Sequence, residues 1–231
     1  MGLCGNFTAT AMSCTESILF DKIFEILGFS SEQVEEYVTK FAEEDKEAGD
    51  TERRHISSNI NILSLCYIPA SCFIICSSLF KMVKFYGSKS LDLPTSLTNI
   101  YRKAVKIFYL RHKEEFRYKH STREDFESSD LPPKEEKKSK KLEQMAFEGI
   151  KGRSLTFVGN EVRGMEDSAL FHHLPDREPD PFSREEQFCF IHLTMQEFFA
   201  ARHLTNWSET ELRNFITENI KESKWQLVFR F

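Results

Sequence analysis

Phe188-Cys189-Phe190-Ile191-His192-Leu193-Thr194-Met195-Gln196-Glu197-Phe198-Phe199-Ala200-Ala201-Arg202-His203-Leu204 changes its period half-way, and that change decides the fold. The first part alternates as a strand does, with Phe188, Phe190 and His192 on one face and Cys189, Ile191 and Leu193 on the other. The second part is helical. Thr194 and Glu197 stand at capping-box spacing, which predicts that the Thr hydroxyl caps the helix while Glu197 reaches back. His192 is thus expected where a strand ends beside a helix N-terminus, a place that favours a phosphate. The residues alone equally fit a histidine that merely satisfies a neighbouring carbonyl.

Working outward, 40% of the 231 residues are hydrophobic and 22 are Phe, a globular composition with enough material for one large or two to three small packed units. A net charge of −5 gives no global electrostatic case for nucleic acid. The six cysteines (Cys4, Cys14, Cys66, Cys72, Cys76, Cys189) form no C-x-x-C pair, sit mostly among Ile, Leu and Phe, and suit a reducing, cytoplasmic setting. From Ile62 to Phe80 there are 19 residues without charge, about the length of a membrane span. Ser64, Pro69, Ser71, Ser77 and Ser78 interrupt that run, and two buried helices meeting at Pro69 are the expected picture. A single-pass membrane protein through 62–80 is the alternative.

Residues 1–17 are small and polar with no period, and one short strand is expected within the apolar Ile18–Phe29, turned by Gly28. Ser30 and Gln33 form another capping box, opening a helix with Val34, Tyr37, Val38 and Phe41 on one face. Glu43 to Arg54 reads as a charged continuation or turn, and His55 to Tyr86 as an apolar helical hairpin around Pro69. After Leu93-Pro94-Thr95 a helix follows with Leu97, Ile100, Tyr101, Ala104, Val105, Ile107 and Phe108 inside. Residues 112–141 are nearly all polar or charged and read as a solvated insertion. A short helix through Leu142, Met145, Ala146 and Ile150 and a short strand at Leu155–Val158 come next. Residues 159–187 read as a loop. Glu209 to Ile220 is helical, and Trp225, Leu227, Val228, Phe229 and Phe231 form an apolar ending that needs a cover.

Four segments in order carry a resemblance. Glu25-Ile26-Leu27-Gly28-Phe29-Ser30 with Gln33-Val34 and Tyr37-Val38 comes first. Leu65-Cys66-Tyr67-Ile68-Pro69 with Cys72-Phe73-Ile74-Ile75-Cys76 is second. Leu93-Pro94-Thr95 through Tyr101 is third, and Phe190 to Leu204 followed by Trp225 to Phe231 is last. In this order they resemble the NACHT-type NOD-like receptors, nucleotide-controlled sensors of innate immunity. The resemblance implies a mainly α fold with a small β wing: a helical bundle like NACHT helical domain 1 over 21–90, then a winged-helix domain over 91–205 with the insertion at 112–141. Residues 206–231 would begin a second helical domain, and 1–20 would be disordered or the end of a NACHT sheet. It further implies that Pro69 packs on the adenine of ADP and that His192 bonds its β-phosphate; exchange for ATP would break the histidine contact and let the winged helix rotate.

The pattern G-x-x-x-x-G-K-[ST] does not occur among the 231 residues, so no phosphate cradle or magnesium hydroxyl is placed. The expectation is a non-catalytic fragment of such a receptor, the hinge region of the switch. Pro69 and His192 would be vestigial contacts, with no cofactor bound independently and ADP or ATP bound in the intact family. Partners would be a NACHT module or an intact receptor in trans, with self-association, and neither nucleic acid nor a membrane. A winged-helix nucleic-acid binder needs an exposed basic recognition helix, which the apolar run Phe198–Ala201 argues against. Cys189, His192 and His172-His173 suggest no catalytic or metal set.

Overall fold

The computed structural model describes residues 28–86, 93–110, 133–165, 170–180 and 182–231. The expected strand at Ile18–Phe29 and the readings of residues 1–20 and 111–132 lie outside these residues, apart from Gly28 and Phe29.

The chain is mainly α with a small antiparallel sheet. Helix α1 (Ser31–Phe41) opens with the expected capping box: Gln33 N–H donates to Ser30 Oγ, and Ser30 N–H donates to Gln33 Oε1 at 2.8 Å. Residues 46–54 are not a turn. They belong to helix α2 (Lys46–Ser58), which Asp45 caps and which buries Ala48, Glu52 and Ile56 at four-residue spacing. Asn59 ends α2 and starts α3 (Ile60–Cys66), accepting from the N–H groups of Asn61 and Ile62. Its amide also donates to Thr95 O at 3.1 Å, tying this corner to residues 93–96. Helix α4 (Pro69–Tyr86) packs on α1, α2 and α3, and its Cys72, Ile75, Cys76 and Leu79 are fully buried. Among the described residues no helix is long and apolar enough to cross a membrane.

Helix α5 (Leu97–Leu110) packs against α4 on one side and the helix over Leu193–Leu204 on the other, joining the first helices to the rest. Helix α6 (Pro133–Gly152) corrects the reading of 112–141 as solvated throughout. Its first two turns lie in that segment, and Ser139 is already buried. Lysines at 137, 138, 140 and 141 occupy the outer face, so the charge density there is that of a helix surface and not of a linker.

The sheet has three strands where two were expected. Strand β1 (Phe157–Val158) pairs with β3 (Ser183–Phe190), which pairs on its other edge with β2 (Phe171–Asp180). Residues 159–187 therefore hold a short helix α7 (Gly159–Val162) and most of a hairpin, not a loop. The reason the alternation was invisible is physical: from His172 onward most of β2 faces water on both sides, so no apolar period exists. Pro175 and Pro179 are tolerated because β2 is an edge strand. At the base of the hairpin Phe171 opposes Phe190 and Phe157 opposes Phe188, and their rings close over helix α8 (Leu193–Leu204) through the 5.9 Å Phe190–Phe199 contact.

Helices α6 and α8 form the tightest helix pair. Arg202 Nε lies 3.0 Å from the buried Glu143 carboxylate, which also accepts from Ser139 Oγ. Gly149 lets the two helices close: a Cβ there would come within 2.5 Å of Gln196 Nε2 and 2.9 Å of the Phe157 ring. Gly149→Ala should therefore cost about 1–3 kcal/mol despite the better helix propensity of alanine, measurable as a lower urea midpoint; an unchanged or higher midpoint would contradict this packing.

Helix α9 (Glu209–Asn219) matches the expected span, and two short 3-10 turns (Ser223–Trp225, Val228–Arg230) follow. The apolar ending is covered within the chain by rings of earlier helices. Trp225 and Val228 are buried, and the Phe231 ring lies 4.9 Å from Tyr101 and 5.3 Å from Phe198.

Candidate functional site

The first predicted site residue, Pro69, stands at a tight corner. Gly28, at φ +80°, lets the chain pass so close to Tyr67 O that a Cβ would lie 2.3 Å from it. Phe29 N–H donates to that same carbonyl at 2.7 Å. Pro69 then opens α4, where its lack of an N–H costs nothing because the first turn has no intrahelical acceptor for it. Pro69 and its neighbour Ile68 are exposed. The corner therefore presents a flat apolar ring to the surroundings rather than to the core.

The second, His192, occupies the N-cap of α8, with extended backbone at φ −157° and ψ 150°. This corrects the expected capping box: Thr194 is inside the first turn, and Glu197 is buried on the helix instead of reaching back to a cap. The imidazole takes over the cap. Its Nδ1 accepts from Thr194 N–H at 3.3 Å and lies 2.9 Å from Thr194 Oγ1. A backbone N–H can only donate, so Nδ1 is the unprotonated nitrogen and Nε2 carries the proton. Burial holds the His192 pKa below the usual histidine value, which keeps the ring neutral. The result is a neutral imidazole whose Nε2–H is a donor at the amino end of a twelve-residue helix.

The structure brings these two elements together through Tyr101, which sequence reasoning placed only as a core residue of α5. Tyr101 is fully buried, and its phenol donates to Thr194 Oγ1 at 2.7 Å. Ser71, two residues after Pro69, adjoins the same phenol without a formed hydrogen bond. Burial raises the Tyr101 pKa, so the phenol remains a donor. A tyrosine on an otherwise apolar helix face was the available signal, because a buried phenol needs a polar partner.

Two carboxylates were also missed. Burial pushes Glu197 up to about 7. Glu52 is wholly buried on α2, neither of its oxygens makes a hydrogen bond, and burial pushes it up to about 8; the Cys76 thiol beside it, a weak donor, relieves this only in part. The signal for Glu52 was its position on the Ala48–Ile56 stripe. Cys66, Cys72 and Cys76 face the same interior, with the Cys72 and Cys76 sulfurs 3.9 Å apart. Among the described residues no three His, Cys, Asp or Glu side chains are arranged to hold a metal ion. Helix α8, offered as a recognition helix by the nucleic-acid alternative, buries Met195, Phe198, Phe199, Ala200 and Ala201. A helix so enclosed cannot lie in a groove of DNA.

No family model matches the chain. The chain is 28% identical over 202 residues to NACHT, LRR and PYD domains-containing protein 3 of Bos taurus, covering 82% of this chain and 17% of that protein. It is 27% identical over 214 residues to protein NLRC5 of Ictalurus punctatus, covering 88% of this chain and 12% of that one. With NACHT, LRR and PYD domains-containing protein 12 of Homo sapiens the identity is 27% over 183 residues, 78% of this chain and 16% of that protein. The chain thus spans less than a fifth of the length of these curated relatives. Across most of its residues the chain is similar to NACHT-containing proteins of the NOD-like receptor type.

Proposed function

We propose that this stretch of chain is the non-catalytic coupling region of a nucleotide-controlled receptor switch in the cytoplasm. Pro69 packs on the adenine of an ADP molecule, and His192 donates Nε2–H to its β-phosphate. The nucleotide is gripped mainly by a NACHT module, belonging to the same receptor or to a second one in trans, and copies associate through these modules. The observation that carries this reading is the His192 cap, which occupies Nδ1 and commits the other nitrogen to donation. The open face of Pro69 on a helix joined to α8 through Tyr101 supports it.

The chemistry limits what two such groups achieve alone. One hydrogen bond from a neutral imidazole to a charged phosphate contributes about 1.5–3 kcal/mol, well short of even micromolar affinity. The full chain without a NACHT module should therefore show no rise in melting temperature with ADP and no ATP turnover. Mixed with a NACHT module from a related receptor, it should tighten ADP binding, and His192→Ala should weaken that binding by about 10- to 150-fold in a calorimetric titration. Unchanged affinity for the alanine variant, or no association with the module, would overturn the proposal.

A further inference from the structure

The hydroxyl of Tyr101 is unnecessary for its packing. Its ring lies 5.8 Å from Phe198 and 4.9 Å from Phe231, contacts that a phenylalanine would make as well. Burying a phenol costs free energy unless the hydroxyl is bonded. Here its one formed bond goes to Thr194 Oγ1, 93 residues away in the chain. Thr194 is itself buried, and its hydroxyl stands between the phenol and the imidazole.

The direction of the whole chain follows from its one irreversible donor. Thr194 N–H can only donate, and it points at His192 Nδ1. Nδ1 is therefore an acceptor for the Thr194 hydroxyl as well, and that hydroxyl must supply its proton to the ring at 2.9 Å. With its proton turned toward the ring, Thr194 Oγ1 presents its lone pairs on the other side, and one of them accepts from the Tyr101 hydroxyl. Turning the Thr194 hydroxyl round would set its lone pairs against those of Nδ1 at 2.9 Å, and protonating Nδ1 would leave the Thr194 N–H without an acceptor.

We infer that Tyr101 and Thr194 are positioning residues for His192: a one-way hydrogen-bond chain from α5 through the first turn of α8 fixes the ring's orientation and keeps its proton on Nε2. The use made of that proton rests on the reading of His192 as a phosphate donor; the relay does not. Tyr101 also meets Ser71 of the Pro69 helix and the Phe231 ring, so three parts of the chain converge on the group that orients the histidine. Sliding α5 against α8 breaks the 2.7 Å bond and frees the Thr194 hydroxyl to rotate. The ring then loses one of its two restraints, and the state of the helical junction is felt at the imidazole.

Long-range nitrogen–proton correlation NMR on the full chain, with labelled histidine at one neutral pH, tests this. Wild type is expected to show His192 as a single Nε2–H tautomer, with Nδ1 displaced from the position of a free acceptor nitrogen. Tyr101→Phe should move the Nδ1 signal part of the way toward the free value. Thr194→Val should move it further and bring in the second tautomer, and Thr194→Ser should restore the wild-type signal. An Nδ1 signal unchanged in folded Tyr101→Phe and Thr194→Val would overturn the relay. Should Tyr101→Phe fail to fold, the Val and Ser pair at 194 decides it alone. Adding ADP and a NACHT module separates the two claims: an Nε2 signal that does not respond defeats the phosphate reading and leaves the relay standing.

Discussion

Phe147→Ala is expected to remove about 3–5 kcal/mol of stability, the largest loss we foresee from one truncation. Phe147 sits on α6 almost fully buried, and four rings from three other parts of the chain meet it. His203 stacks on it at 4.9 Å, Trp207 and Trp225 approach to 5.4 Å, and Phe215 to 5.6 Å. Deleting the ring forfeits its own transfer energy and leaves a void that these neighbours cannot all fill, because each is also held elsewhere: Trp225 lies on Phe215 at 4.9 Å and Trp207 on Phe215 at 5.3 Å. A domain has only about 5–15 kcal/mol to lose. Urea unfolding should show a much lower midpoint with an unchanged slope. A loss under about 1.5 kcal/mol would mean that the ring cluster collapses freely and is not a rigid seat for α8.

Glu52→Gln should change how stability depends on pH. The carboxyl titrates at its ordinary value of 4.5 when unfolded and at about 8 in the fold. Below pH 4.5 it is protonated in both states and carries no penalty. As pH rises above that, the unfolded chain ionises while the folded one holds its proton, and stability falls by about 1.4 kcal/mol per pH unit. The fall ends near pH 8, where the folded group ionises too, after a loss of about 4–5 kcal/mol. Glutamine does not titrate, so the variant should gain on wild type by roughly that amount between pH 5 and pH 8. Glu197 and His192 titrate in both proteins and cancel in the difference. Parallel stability profiles for the two proteins would show that Glu52 reaches water.

The parts of the fold that could be read in the residues are those where burial imposes a period. Val34 and Val38 behind a Ser30–Gln33 box, Ile100–Val105 on α5, and Phe198–Ala201 on α8 all repeat at helical spacing because one side of each helix is dry. The β2 arm has no dry side past its base, and nothing in Pro175-Asp176-Arg177-Glu178-Pro179 distinguishes such a strand from a loop. The first turns of α6 were obscured in the same way by lysines that coat the outer face of a helix. At the site, the corner at Pro69 was legible because proline breaks an apolar run, and the junction at His192 because the period changes there; their reading as nucleotide contacts is what the resemblance implies. The true cap was not legible. The Thr194 hydroxyl that a local rule assigns to the backbone instead meets Tyr101, 93 residues upstream, and His192 takes the cap.

The seat around Tyr101 carries a consequence for how the chain is made. Thr98 Oγ1 donates to Phe231 O, and these residues are 133 positions apart. At about 5–20 residues per second a ribosome needs on the order of ten seconds to travel between them. Through that interval α5 can already pack on α4, but its phenol and the side that later meets Thr194, Phe198 and Phe231 stand uncovered. A holdase that recognises apolar helices would have its window on the nascent chain there, and slowing translation downstream of α5 would lengthen it.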